Sequence, residues 1–154
     1  MKKIFNLLIL FAVALFAACE ETIESIETLE VKPYNIEGAW ALAELNGSAL
    51  ADSVYVYLVL EHSCTFEIYE NTSSMYPVLS TGSFELEYDW RVGDVISGTY
   101  DYGLGAWGHE YVITGLCKES MVWTAKGEDG EVQKFVRVAE VPADIVEAVR
   151  KPLE

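Results

Sequence analysis

Two histidines, three cysteines and 25 acidic side chains carry the functional groups with which this chain could do chemistry. His62 and His109 could each ligate a metal, but neither stands at ligand spacing from a cysteine or a glutamate. Glu85 and Glu87 are two residues apart, which on a strand puts both carboxylates on one face, where general acid–base catalysis could use a pair. Cys64 and Cys117 could join in a disulfide or remain as two small apolar thiols. No Gly-x-Ser-x-Gly elbow and no phosphate-cradling glycine loop is present. The sequence therefore reads as that of a non-enzyme with no cofactor, in which Glu85 and Glu87 belong to a solvated acidic face.

The third cysteine has a different context. Lys2 and Lys3 precede an apolar run from Leu7 to Ala18, about half the roughly 20 residues a membrane-crossing helix needs. A basic start, a short apolar core and small residues at its end are the pattern of a secretory signal. Leu15-Phe16-Ala17-Ala18-Cys19 resembles a bacterial lipobox, which implies cleavage after residue 18 and a lipid on Cys19. Diacylglycerol and an acyl chain together make the multi-chain anchor that stable attachment needs. Residues 19–35 then read as an acidic tether, with Glu20, Glu21, Glu24, Glu27 and Glu30 holding it extended by repulsion. Acidic residues just after the cysteine resemble the surface-export signals of Bacteroidetes lipoproteins, so the expected address is the outer membrane, facing outward.

Removing Lys2 and Lys3 takes the formal charge from −15 to −17. No basic stripe is left to meet phosphates, which excludes nucleic acid as a partner. The expected contact with the membrane runs through the lipid on Cys19 alone.

Positioning any site falls to strands. From Ile36 the hydrophobic period is two, with turns every eight to twelve residues, the signature of an all-β sandwich or barrel. The alternation predicts strands at about 36–44, 53–60, 64–70, 80–89, 94–100, 109–114, 120–126 and 131–138. Eight strands with short connections predict an antiparallel up-and-down barrel, since closure removes exposed edges. Val141-Pro142-Ala143 followed by apolar residues at 145, 146 and 149 predicts a short C-terminal helix against the barrel wall. The domain therefore runs from 36 to 154. In this topology the 46–52, 71–79, 101–108 and 127–130 loops share one rim, and His62 and His109 fall at opposite ends.

Gly38-Ala39-Trp40 on the first strand resembles the Gly-x-Trp of lipocalin-like (calycin-type) barrels, and the chain is most similar to small lipocalin-like lipoproteins of Bacteroidetes. The resemblance implies that Arg137, on the last strand, stacks on Trp40 and closes one end of the barrel. Where that family carries Thr-Asp-Tyr, this chain has Thr114-Gly115-Leu116-Cys117. The function implied is a membrane-tethered binding module for a small apolar or amphipathic ligand. Phe66, Phe84, Leu86, Tyr100, Met121 and Trp123 are the expected lining, and Trp107, among four glycines, is expected at the rim as a lid, a partner contact or a cap. The alternative is a protein-interaction, inhibitor or accessory surface module whose barrel is filled by its own side chains.

Overall fold

The alternation read between residues 36 and 138 becomes nine strands in a computed structural model, which describes residues 26–72, 76–127 and 130–150. The expected leader at 1–18 and the expected lipid site at Cys19 lie outside the described residues. The strands are β1 (Gly38–Leu45), β2 (Ser48–Ala49), β3 (Tyr55–Leu60), β4 (Thr65–Asn71), β5 (Val78–Asp89), β6 (Gly93–Tyr100), β7 (Tyr111–Thr114), β8 (Ser120–Ala125) and β9 (Val132–Val138). A helical turn, α1 (Pro33–Ile36), precedes them, and α2 (Ala143–Arg150) follows.

From β3 to β9 each strand pairs antiparallel with the next, and β1 pairs with both β3 and β9. These eight strands form a closed barrel, with β2 outside it. The expected eight-stranded antiparallel barrel with a short terminal helix is thus the architecture of this chain.

The outside strand was not expected. Asn46 and Gly47, at φ 51° and 77°, make the tight turn favoured in two-residue hairpins. The chain therefore doubles back on β1 itself, with Leu45 opposite Ser48 and Glu44 opposite Ala49. β3 pairs with β1 only over Gly38–Ala41, so β2 caps the edge that β3 leaves open.

A bulge in β1 sets what faces the interior near the mouth. Leu42 pairs with Phe135, but Glu44 pairs with Lys134, so Ala43 is an extra residue. The slip returns Leu45 to the inward face. Glu44 stays outside, where its Oε1 accepts a bond of 2.9 Å from Lys134 Nζ.

The closed end is built on Trp40. Its Nε1 donates to the Ile36 carbonyl at 2.8 Å, and the Arg137 guanidinium lies 4.0 Å from the ring centroid. Arg137 also donates from Nε to Lys118 O at 2.7 Å, from Nη1 to Glu37 O at 2.6 Å and from Nη2 to Asn35 O at 2.8 Å. Gly38 has φ +123°, and a Cβ there would stand 2.7 Å from Arg137 Nη1. The stack expected of Gly38, Trp40 and Arg137 is therefore present, and it needs glycine at 38 for backbone and space alike.

The tether boundary at 35 requires correction. Leu29 N donates to Leu116 O at 2.8 Å, and Leu29 and Val31 pack against the core. Leu29 and Val31 serve as single apolar pegs under the barrel. Packed chain begins by Leu29, and α1 buries Ile36 completely.

Tyr55, Tyr57 and Tyr69 form an outer aromatic face on β3 and β4. Tyr69 is only 3% exposed and donates to Glu67 Oε2 at 2.7 Å. The charges of Asp144 and Arg150 reach Tyr55 and Tyr69 respectively, which places α2 against this face. Within the helix Ile145 is buried, as its sequence pattern predicts.

Candidate functional site

The lower half of the barrel is solid. Leu60, Phe66, Phe84, Ile96, Ile113 and Met121 fill it, with Ile36 and Leu116 closing it from below. Above them the interior opens into a cavity of about 290 Å³.

Its walls are apolar and aromatic. Leu42 and Leu45 come from β1, Val56 and Leu58 from β3, and Ile68 from β4. Tyr100, Tyr111, Trp123 and Phe135 supply the rings opposite. Tyr111 and Trp123 have centroids 5.5 Å apart, and Trp123 and Phe135 are 5.0 Å apart. Such offset and tilted contacts are the arrangements aromatic quadrupoles favour.

Trp107 completes this stack from a loop. The chain after β6 turns back on it: Tyr100 N donates to Gly105 O and Trp107 N to Gly98 O, both at 2.8 Å. That pairing swings the indole inward, 5.0 Å from Phe66 and 5.7 Å from Trp123 by ring centroid. The rim-exposed tryptophan expected from the glycine-rich loop is thus corrected: Trp107 forms part of the cavity wall. Gly98 makes the place for it, since a Cβ there would stand 2.2 Å from the indole. Its Nε1–H is buried with no acceptor among the described residues.

The charged part of the lining is acidic, beside the neutral Thr72 and Gln133. Glu70 follows Phe66 and Ile68 on the inward face of β4, and Glu131 stands just before β9. Gln133 Nε2 donates to Glu131 Oε1 at 2.6 Å and to the Tyr111 hydroxyl at 3.4 Å. Burial pushes the Tyr100 and Tyr111 phenols above their ordinary range, and the charges of Glu70 and Glu131 push them further in the same direction. The Gln133 bond opposes part of this at Tyr111.

With Tyr55 and Tyr69 also raised, chiefly by burial, four phenols favour the neutral form in the fold. A raised folded value contributes stability below the unfolded tyrosine pKa of about 10, and loses it as pH rises through the folded value. Denaturation midpoints should therefore fall above about pH 10, together with late-ionising tyrosinate absorbance. Simultaneous ionisation of all the tyrosines with no loss of midpoint would count against this.

Of the residues expected to line a site, Tyr100 and Trp123 line the cavity, joined by Trp107, which was expected at the rim. Phe66, Phe84 and Met121 belong to the filled half, and Leu86 packs against that core. Glu70, Tyr111 and Glu131 went unrecognised; carrying the alternation of Phe66 and Ile68 one step further would have found Glu70. Cys64 is half-buried and Cys117 buried, both as free thiols, so the disulfide alternative is not the arrangement observed. Cys117 Sγ stands 3.3 Å from Ser120 Oγ. His62 sits 3.5 Å from Glu37 at the closed end, whereas His109 packs against Tyr111 near the mouth. Glu85 and Glu87 lie on β5 outside the cavity. Comparison with protein-family models, curated proteins and solved structures finds no match to this chain.

Proposed function

We propose that this protein is a lipid-anchored binding module whose barrel takes one small amphipathic molecule. The observation that carries the reading is the cavity, which opens above a solid floor and is lined by stacked rings. At about 290 Å³ it stands at the lower end of ligand-site volumes. Residues 29–36 cross the closed end, so an anchor on Cys19 would hold the domain with its mouth directed away from the attachment. Release of a leader after residue 18 and outward display at an outer membrane complete the proposal.

Native mass spectrometry of the protein isolated from its own host tests it. A retained small-molecule adduct is expected, and it should vanish in Leu45→Trp, which fills the upper cavity from the mouth. An adduct-free mass in the native protein would favour the second reading, a protein-interaction module. That alternative has its own support in the β5–β6 hairpin, where Tyr88 and Trp90 are 75% and 78% exposed.

A further inference from the structure

The cavity that carries the binding proposal also specifies the charge of its occupant. We infer that the ligand is a small organic ammonium, a ring or short chain bearing one cationic nitrogen, held between aromatic faces and the carboxylates of Glu70 and Glu131. This rests on the binding reading above and narrows it.

Both carboxylates line the cavity, and no lysine, arginine or histidine does. Neither takes part in an ion pair among the described residues. Glu70 is the more telling of the two. It occupies an inward register position on β4, where an apolar residue would continue Phe66 and Ile68. Half-buried there, its carboxylate faces a lining that contains no cationic side chain.

The rings supply the second half of the recognition. Tyr100, Trp107, Tyr111 and Trp123 surround the same space. Trp107 and Trp123 lie 5.7 Å apart by centroid, and Tyr111 stands 6.4 Å and 5.5 Å from them. Electron-rich ring faces attract cations, tryptophan most strongly, and the attraction grows where water is excluded. The negative field already reaches this wall, since both phenols feel the neighbouring glutamates. The formal charge of −15 favours the approach of cations over that of fatty acids and other anions.

Calorimetry and tryptophan fluorescence on the full-length protein, with three near-isosteric probes, test the inference. 2-Phenylethylamine is expected to bind about tenfold more tightly than 2-phenylethanol, with phenylacetate weakest. Glu70→Gln and Glu131→Gln should each weaken the amine several-fold and leave the alcohol unchanged, whereas Glu85→Gln, on the outer face, should change neither. Equal or tighter binding of the alcohol or the acid would overturn the ammonium assignment and leave the binding module standing. Amine selectivity that survives both cavity substitutions would also overturn it, because the charge would then act from elsewhere. Absence of binding by all three probes would overturn the ammonium assignment and the cavity reading together.

Discussion

Replacing Arg137 with alanine should lower the stability of the domain by about 3 kcal/mol, with the denaturant midpoint falling and the slope unchanged. The side chain joins three parts of the chain far apart in sequence: Asn35 and Glu37 below the barrel, Lys118 in the β7–β8 loop, and Trp40 on β1. A cation over an indole contributes about 1–2 kcal/mol where water is excluded. Each charged hydrogen bond to a carbonyl is worth roughly 1.5–3 kcal/mol, but bonds made by one group are not additive. Solvent also reaches part of this site and replaces some of what is lost, which keeps the sum near the lower bound. Arg137→Lys should recover little, because an ammonium is a point charge and cannot span three carbonyls in a planar fork. A loss below about 1 kcal/mol for the alanine variant would show that the filled core closes the barrel without the stack.

The closed end at Gly38, Trp40 and Arg137 was legible through the resemblance to lipocalin-like barrels, whereas the strands that carry these residues followed from the period-two runs and their turns. All eight barrel strands fall within a few residues of where the alternation places them. What alternation cannot show is height along the barrel axis. Phe84 and Tyr100 both point inward, yet Phe84 lies in the filled floor and Tyr100 in the cavity wall. The difference comes from the stagger between strands, which no local pattern records. The Ala43 bulge is hidden for a similar reason, since only its pairing with β9 reveals the extra residue. A glycine in a loop marks a turn, but a glycine inside a strand needs another reason. Gly82 and Gly98 lie within strands, where they leave room for rings that arrive from other segments. The partner of a missing side chain cannot be found from the gap alone.

Gly98→Ala should therefore cost about 2–3 kcal/mol in the native background and almost nothing once Trp107 is alanine. The added methyl would stand 2.2 Å from the indole, well inside any real contact, so either the ring leaves or the β6 backbone shifts. Trp107 is held to the same strand by its own N–H bond to the Gly98 carbonyl, which leaves the loop little freedom to yield. Ejecting the ring separates it from Phe66, Tyr111 and Trp123 and opens one wall of the cavity. The double-mutant cycle isolates this clash: if Gly98→Ala is as damaging beside Trp107→Ala as it is alone, the glycine answers to backbone geometry and not to the tryptophan. Fluorescence gives a second reading, because an ejected indole should emit at longer wavelength and become open to aqueous quenchers. A stable Gly98→Ala protein with its emission unchanged would mean that the wall accommodates the methyl with Trp107 in place. The position of Trp107 would then not depend on the glycine, and the cavity would owe its shape to the loop alone.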